Sequence, residues 1–370
     1  MSSLRLAVVG CGHLGRIHAR KLASRSDVDL KFVVDPCEET RSQLASETGA
    51  CPHANLNEIE EPLDAAIVAA PTHLHLPLTA QLLQRGCHVL VEKPLAPTAH
   101  EAATLCQEAR RNRRLLQVGH VERFNPALLA VEDEITEPKY IECRRTSGFS
   151  FRSVDIGAVL DLMIHDIDIV LQLANSEVVE VSAFGLATLG RREDVAQTRL
   201  QFANGCVADL FASRISQRRM RTMNVLGEHY LAQLDFAEHR ACVQKSGSCL
   251  AERAFDAEQF APAERLAMGP NYYESLFETS ELETQPCDAI EAEQGNFIAA
   301  IDGQQRLRVD GDAGYRAVEV AERILNAINA HQWDGRPQGR VGPLFEYPAS
   351  IIRPLEWSAD QDAQPQRRAG

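Results

Sequence analysis

Short apolar runs alternate with helical stretches over the first third of the chain, which is the pattern of a parallel β-sheet. The first two runs, Leu4 to Val9 and Val28 to Val34, have the length of strands buried inside such a sheet. Further strands are predicted at 63–70, 87–91 and 115–118, and helices at 38–48, at 99–110 and in a stretch that closes over 81–85. This alternation predicts an α/β domain over residues 1–121.

From residue 122 to about residue 345, strand patterns follow one another with few helices between them. They are predicted at 139–145, 178–185, 195–202, 206–213, 220–226 and 230–236, and Asn204-Gly205 is a hairpin turn. This order predicts an α+β domain with a large, mostly antiparallel open sheet. Helices are predicted at 296–302 and 314–330, and the polar residues 244–288 are expected to leave the sheet as a long excursion. Residues 346–370 are predicted to form a partly disordered C-terminal extension.

One helix in this second domain carries polar residues beside its apolar face. Its apolar positions recur at spacings of three and four, and they are Leu160, Ile164, Ile167, Leu171 and Ala174. Asp161, His165 and Asp168 lie on the adjoining face, so a carboxylate and an imidazole one turn apart can meet. The alternative interpretation is a helix with a solvated polar edge.

The first predicted strand leads into a glycine-rich turn at the start of a helix. Gly10 permits a tight turn, Gly12 lets the backbone approach a pyrophosphate, and Gly15 lets the helix pack on the strand. His13 and Leu14 lie where free N–H groups and the positive end of the helix dipole face a phosphate. The pattern predicts a Rossmann domain that holds a dinucleotide, and the alternative is a βαβ unit that binds nothing.

Asp35 follows the second predicted strand, at the position of a ribose-binding acid. Its carboxylate would accept hydrogen bonds from both ribose hydroxyls but would repel a 2′-phosphate. Pro36 and Cys37, which come next, supply no cation to reverse that preference. We therefore expect NAD rather than NADP as the cofactor.

Loops at the carboxyl ends of parallel strands line the ligand crevice of a doubly wound sheet. Pro71, Thr72 and His75 follow one such strand, and Glu92 and Lys93 follow the next, so all five are expected to flank the cofactor. The two histidines at positions 73 and 75 have no acidic or cysteine partner at ligand spacing, and we expect no metal. Taken alone, a lysine at a strand end is usually a solvated surface charge.

Composition excludes several classes of function. The chain has 370 residues and a formal net charge of −14, which gives no electrostatic case for binding nucleic acid or an anionic membrane. No run approaches the roughly 18 apolar residues that a membrane span requires. The glycine-rich turn lies too close to Met1 for a signal peptide, so a cytoplasmic protein is expected. Ten cysteines without C-x-x-C pairs argue against a zinc site and a disulfide framework.

The motifs taken together resemble one known family. Beside the glycine turn and the Asp161-x-x-x-His165 helix, they are Glu92-Lys93-Pro94, the strand-end Pro71 with His75, and Arg123-Phe124 with Pro126 at the domain exit. In order and spacing they resemble the Gfo/Idh/MocA family of NAD(P)-dependent sugar and polyol dehydrogenases over about residues 4–330. One departure is Ile156, where family members often have the first of two glycines before the helix.

The resemblance implies that Lys93, Asp161 and His165 are the catalytic residues. Oxidation of a secondary alcohol needs a proton acceptor while a hydride leaves the carbon, and a histidine suits that task. Asp161 would then orient the imidazole ring, and Lys93 would stabilise the developing alkoxide. The nicotinamide would accept the hydride.

The resemblance is closest to family members that act on nucleotide sugars, the UDP-N-acetylglucosamine 3-dehydrogenases among them, through residues 119–126 and 159–168. Arg123 and Arg152, with Arg144 and Arg145, are the candidates for binding a diphosphate, while Lys93, Asp161 and His165 would contact the sugar. The alternative for these arginines is pairing with Glu122, Glu142 and Asp155.

Two other functions stay open at this point. One is an inositol or free-sugar dehydrogenase, and the other is a regulator that binds the dinucleotide without catalysis, as some members of the family do. Lys93 and His165 are both present, which favours an enzyme. Apolar positions in the large sheet, namely Val207, Leu210 and Phe211, also predict a homodimer or homotetramer.

Overall fold

In the computed structural model, which describes residues 3–150, 156–268, 270–336 and 339–344, a six-stranded sheet forms the first half of the fold. Its strands are β1 (Leu4–Val9), β2 (Val28–Val34), β3 (Cys51–His53), β4 (Ala65–Val68), β5 (His88–Glu92) and β6 (Leu116–Gly119). They lie in the order β3-β2-β1-β4-β5-β6, and every pair is parallel. The order reverses between β1 and β4, so a ligand crevice is expected at their carboxyl ends.

Four helices connect these strands: α1 (His13–Ala23), α2 (Glu38–Thr48), α3 (His75–Gln84) and α4 (Ala99–Asn112). Side chains of β1 alternate between the two faces of the sheet, so Leu6 and Val8 enter one buried cluster and Ala7 and Val9 enter the other. Because both faces of the sheet are covered, its central strands are apolar throughout, as the sequence pattern indicated.

The second half of the fold is an eight-stranded sheet. Its strands are β7 (Tyr140–Thr146), β8 (Val178–Leu186), β9 (Val195–Phe202), β10 (Val207–Ser213), β11 (Met220–Leu226), β12 (Tyr230–Asp235), β13 (Arg240–Ser246) and β14 (Phe277–Leu282). They lie in the order β14-β13-β12-β11-β7-β10-β9-β8, and all neighbours are antiparallel except β7 and β10. The predicted fold class, a Rossmann domain with a mostly antiparallel open sheet, is confirmed.

Helices of the second half are α5 (Pro126–Val131), α6 (Ile164–Ala174), α7 (Ser248–Ala251), α8 (Pro262–Ala267), α9 (Pro270–Ser275), α10 (Ala289–Ile301) and α11 (Gly311–Ala330). The helix predicted around Asp161 begins as a π-helical segment, Val159–Met163, and becomes α-helical only from Ile164. A π-helical turn is wider than an α-helical turn, so residues at i and i+4 are not stacked in the same way.

The prediction that residues 244–288 leave the sheet is wrong in part. The chain adds β14 to the edge of the sheet beside β13, and only α7, α8 and α9 lie between these two strands. The strand β14 has four exposed residues out of six, and backbone hydrogen bonds to β13 hold it. An edge strand that is polar on both faces has no apolar alternation by which sequence reasoning could find it.

The last helices return to the first sheet, so the chain does not divide at one point. Phe297 and Ile298 of α10 are buried with Leu6 and Leu90 of the first sheet. Gly314 of α11 packs so closely on β6 that an added Cβ would lie 2.5 Å from Val118. The domain boundary near residue 121 therefore stays a prediction. It describes the division of the strands between the two sheets, whereas α10 and α11 pack against the first sheet although they follow the second. The predicted extension at 346–370 lies outside the described residues.

Candidate active site

The glycine-rich turn has the shape of a phosphate cradle. An added Cβ at Gly15 would lie 1.7 Å from the carbonyl oxygen of Gly10, so only glycine permits α1 to approach β1 this closely. Gly10 itself has φ +95 and lies against Ala69, which also requires glycine. By contrast, a Cβ at Gly12 would meet nothing within 4 Å, so the space in front of this residue is open.

The first residues of α1 face this open space. Gly12 is the residue that precedes α1, and no side chain among the described residues caps the helix there. The N–H groups of His13, Leu14 and Gly15 are therefore donors without intrahelical acceptors, at the positive end of the helix dipole. The turn fits the pyrophosphate of a dinucleotide, which would satisfy these donors.

Asp35 lies beside the turn, at the end of β2. Its carboxylate accepts hydrogen bonds from the backbone N–H of Cys11 at 2.7 Å and of Cys37 at 2.8 Å. These bonds fix the acid next to the glycine turn, at the place where an adenosine ribose would lie. Arg41 folds back to donate to the carbonyl oxygen of Pro36 at 3.0 Å. Arg41 therefore places a cation near this site, although the residues that directly follow Asp35, Pro36 and Cys37, carry no positive charge.

The residues after β4 divide into two groups. Pro71 is exposed and Thr72 is partly exposed, and both lie at the carboxyl edge of the sheet as expected. His75 is 1% exposed, and its two ring nitrogens lie 2.9 Å from the carbonyl oxygens of Pro94 and Ala70. Burial lowers the pKa of His75. The ring ties this loop to the segment after β5, so we correct its predicted role from cofactor contact to positioning of the two loops.

Lys93 and Asp161 meet between the two halves of the fold. The Nζ atom of Lys93 donates to the carbonyl oxygen of Asp161 at 2.8 Å and lies 3.3 Å from its carboxylate oxygen. Both side chains keep some exposure, 15% for Lys93 and 22% for Asp161. The structure thus brings together a strand end of the first sheet and the π-helical segment of the second half.

His165 lies one residue into α6, close to this pair. Burial lowers its pKa well below the usual value for histidine, and the positive charges of Lys93 and Arg145 lower it further. The imidazole is therefore neutral and has a free lone pair with which it can accept a proton. Among the described residues there is no hydrogen bond between His165 and Asp161, whose carboxylate contacts Lys93. That Asp161 orients the His165 ring is therefore not seen as a contact in this structure.

His120, which follows β6, was not among the predicted site residues. Its ring lies edge-on to the ring of His165, with 6.4 Å between centroids and 88° between planes. The side chain is 0% exposed, and neither ring nitrogen has a hydrogen-bond partner among the described residues. In the sequence this residue lies within the stretch 119–126, where no local pattern distinguishes it as a site residue.

Glu92 points away from the cleft, into a buried polar cluster. Its carboxylate lies 2.8 Å from Nε2 of His18, and Glu293 of α10 lies close enough that one ligand atom from each residue falls within 4.8 Å of the others. Three such groups could hold a metal ion, although an ordinary hydrogen bond between His18 and Glu92 already accounts for their contact. Burial acts to raise the pKa of Glu92, but His18 and Lys93 hold it below its usual value. We correct the predicted cofactor contact of Glu92 to a role behind Lys93.

The arginines proposed for a diphosphate are paired with acids of the protein. Arg123 is 7% exposed, donates to Gln172 and to the carbonyl oxygen of Arg308, and lies 3.5 Å from Asp168. Arg145 binds both Glu122 and Asp166, and Arg144 binds Glu142. Arg144 and Arg145 thus pair with two of the acids that the alternative named, whereas Arg123 pairs with Asp168, which it did not name. Because Arg123 is buried and bonded within the protein, its contacts in this structure are structural. Arg152 lies outside the described residues.

The sequence matches two family models and a relative of known activity. A model of the oxidoreductase family with an NAD-binding Rossmann fold, Gfo/Idh/MocA, matches residues 4–120, and a model of the family's C-terminal domain matches residues 131–231. The chain is 30% identical over 331 residues to UDP-N-acetylglucosamine 3-dehydrogenase of Acidithiobacillus ferrooxidans, a match that covers 89% of this chain and 99% of that protein.

Two further comparisons agree. A solved structure of UDP-N-acetylglucosamine 3-dehydrogenase GnnA from Acidithiobacillus ferrooxidans superposes with a TM-score of 0.77 at 29% identity, covering 89% of this chain and 98% of that one. The scyllo-inositol 2-dehydrogenase (NAD(+)) of Bacillus subtilis is 31% identical over 232 residues, covering 58% of this chain and 68% of that protein. The glycine cradle, the lysine at the end of β5 and these matches agree, and the chain belongs to the Gfo/Idh/MocA family of NAD-binding oxidoreductases.

Proposed function

We propose that this protein oxidises a secondary ring hydroxyl of a sugar with NAD, and that the substrate is a nucleotide sugar such as UDP-N-acetylglucosamine, oxidised at C3. The observation that carries the proposal is the meeting of Lys93 and Asp161 beside His165, at the carboxyl edge of a sheet whose glycine turn fits a dinucleotide. A regulator that only binds the dinucleotide has no need of this arrangement.

The three side chains have distinct tasks in the proposed reaction. His165 accepts the proton of the substrate hydroxyl, since its lowered pKa keeps the ring neutral before the reaction. Lys93 donates a hydrogen bond to the same oxygen as negative charge develops on it. Asp161 holds the Lys93 ammonium in place through the contact at 3.3 Å. Bound NAD would accept the hydride from the carbon.

The preference for a nucleotide sugar rests on the relative with 30% identity whose length the match covers almost completely. The structure contributes one observation in the other direction. Arg123, Arg144 and Arg145 are paired with acids, so they do not supply a patch of unpaired cations for a diphosphate. That observation favours a second candidate, an uncharged inositol or free sugar.

An absorbance assay of NADH formation tests both candidates. The protein is mixed with NAD and, in turn, with UDP-sugars, free hexoses and inositols. We expect UDP-N-acetylglucosamine to give the highest kcat/KM. Equal or greater activity on free inositol or glucose would contradict the nucleotide-sugar proposal while leaving the three catalytic roles in place.

A variant separates catalysis from binding in the same assay. Lys93→Met removes the ammonium but keeps an unbranched side chain, so turnover should fall by on the order of a hundredfold or more, as for loss of an oxyanion donor. NAD binding, measured by quenching of tryptophan fluorescence, should stay within a few-fold of wild type. Full turnover in Lys93→Met would contradict the catalytic role of Lys93.

A further inference from the structure

The buried polar atoms near His165 form a group without partners. They are Nδ1 of His165, both ring nitrogens of His120, Oδ2 of Asp168 and Nε of Arg123, and none of them has a hydrogen-bond partner among the described residues. Buried polar atoms normally have a partner, from the protein or from an ordered water. Nε of Arg123 and Oδ2 of Asp168 form an ion pair at 3.5 Å, so the three ring nitrogens are the atoms that most need an explanation.

Their positions suggest a linear arrangement. His165 and Asp168 are one turn apart on α6, and His120 faces them from the loop after β6, with its ring edge-on to His165. Asp168 is the charged group that acts most strongly on His120, followed by Arg123 and Lys93. Arg123 in turn lies 3.5 Å from Oδ2 of Asp168. His120 thus lies between the proposed base and a buried ion pair.

The centroid distance of 6.4 Å is too long for a direct ring-to-ring hydrogen bond, and one water between the ring nitrogens would bridge it. A buried water needs two to four polar partners, and the ring nitrogens of His120 and His165 supply two of them. The remaining nitrogen of His120 is then available for the carboxylate of Asp168. Such a chain satisfies four of the five unpartnered atoms.

This chain of hydrogen bonds from His165 through the water and His120 to Asp168 decides which nitrogen of His165 carries a proton. A general base must present a lone pair to the hydroxyl, so the proton of the neutral ring has to reside on the other nitrogen. Asp161 does not hold that proton in this structure, since Nδ1 of His165 has no hydrogen-bond partner among the described residues. Burial lowers the pKa of His120, which keeps its ring neutral and able to accept a hydrogen bond.

We propose that His120 is a positioning residue for His165, which it holds through one buried water as the tautomer protonated on Nδ1, with Asp168 fixing the orientation of His120. The inference rests on the proposed function and names the group that prepares its base. In the reaction the O–H bond of the substrate breaks and its proton forms an N–H bond on Nε2 of His165. The C–H bond of the carbon that bears this oxygen breaks as well, and bound NAD would accept its hydride. The Nδ1 proton stays in place, and the His120–Asp168 pair stabilises the imidazolium.

The first test needs no substrate. In the full-length chain saturated with NAD and labelled with ¹⁵N in its histidine rings, the ring resonances of His165 are identified by their loss in His165→Asn. We expect the proton of neutral His165 on Nδ1 in the wild type, and a mixture of tautomers in His120→Phe, which keeps the ring packing but has no nitrogen. A proton on Nε2 in the wild type would overturn the proposal, as would an unchanged tautomer in His120→Phe.

Two further variants separate this role from a purely structural one. His120→Gln can still bond a water and should recover the Nδ1 tautomer at least in part, which also keeps the test open should His120→Phe fold poorly. His100→Phe, at an exposed position on α4, is the matched control and should leave His165 unchanged.

Kinetics supply the second readout. With the sugar that the wild type oxidises, kcat of His120→Phe should fall on the order of tenfold, short of the roughly 10²–10⁴-fold effect of the base itself. KM for NAD should stay unchanged. A rise in KM for the sugar with an unchanged kcat would overturn the positioning role of His120. Should no sugar be oxidised by the wild type, the proposed function fails, whereas the tautomer of His165 still decides this inference.

Discussion

At the scale of single residues, a predicted site residue takes part in the site only where its side chain is not already bonded to other parts of the protein. Lys93, Asp161 and His165 were predicted from a resemblance, and the structure brings them together. His75, Glu92 and Arg123 have suitable chemistry and position in the sequence, but each is buried and bonded to other parts of the chain. Burial and pairing depend on distant segments, such as α10 behind Glu92, and no local pattern reports them.

Asp35 gives the first prediction at this scale. Its carboxylate should repel the 2′-phosphate of NADP, so Asp35→Ala should raise kcat/KM with NADP relative to NAD. Arg41, which lies beside the same loop, could then approach the phosphate. The ratio of the two kcat/KM values in the wild type and in the variant measures the effect.

Arg41→Ala in the Asp35→Ala background is the control, and it should reverse part of the gain with NADP. Wild-type protein that uses NADP as well as NAD would contradict the argument, as would an unchanged ratio in Asp35→Ala.

Glu293 gives a prediction about stability and pH. Burial raises the pKa of this carboxyl well above its usual value, and the charge of Glu92 raises it further. The folded state therefore keeps a proton that the unfolded chain releases above its own pKa, about 4.3 for glutamate. This contribution to stability is fully present below that value and is lost as the pH rises through the folded-state pKa.

Glu293→Gln imitates the protonated acid and should not lose stability in this way. Its melting temperature relative to wild type should rise from about pH 5 upward until the pH passes the folded-state pKa of Glu293, because the histidines with lowered pKa values act equally in both proteins. Glu291→Gln, at an exposed position on the same helix, should show no such trend. A constant difference between Glu293→Gln and wild type would indicate an ionised Glu293, stabilised by a cation.

At the scale of elements, the sequence located the buried strands well. The predicted strands 195–202 and 220–226 agree with β9 and β11 at both ends. Their alternation of apolar and polar residues reflects one buried face, which is a local consequence of the fold. The π-helical turn at Val159–Met163 and the polar edge strand β14 were missed, because packing against other elements, and not local preference, determines both.

The turn between β1 and α1 gives a matched pair of variants. Gly15→Ala would place a Cβ 1.7 Å from the carbonyl oxygen of Gly10, so α1 must move away from β1 and the protein should be destabilised by several kcal/mol. Gly12→Ala meets nothing within 4 Å in the protein, and its φ of −69 suits alanine, so stability should change little.

NAD binding, unlike stability, should depend strongly on Gly12. A methyl group there enters the open space in front of α1, so NAD affinity of Gly12→Ala should fall by at least tenfold while its melting temperature stays near wild type. Thermal unfolding and NAD titration of the same samples check both statements. Normal NAD binding in Gly12→Ala would show that the pyrophosphate does not lie against this turn.

At the scale of the whole molecule, the two faces of the eight-stranded sheet differ. One face is buried under helices, with Leu210 0% exposed. Val207 and Phe211 lie on the other face, so these two of the three apolar positions named for the sheet face away from the helices, while strand alternation turns Leu210 inward. The outer face also carries charge, since Arg199 pairs with Asp209 there and Arg144 lies 5.8 Å from the ring centre of Phe211.

No helix in the described residues is long and apolar enough to cross a membrane. Large exposed sheets with apolar positions between paired charges are common at interfaces between subunits. The homodimer or homotetramer therefore remains our prediction, with the outer face of the sheet as its contact surface.

Sedimentation of the wild type and of two variants tests this prediction. Phe211→Asp places a third negative charge beside Asp209 and Glu142 on the outer face, so it should shift the protein toward a monomer of 40.9 kDa. Leu266→Asp changes a residue that is 89% exposed on α8, away from the sheet, and should leave the assembly unchanged. A monomeric wild type at micromolar concentration would refute the prediction. An oligomer that Phe211→Asp leaves intact would instead place the contact on another surface.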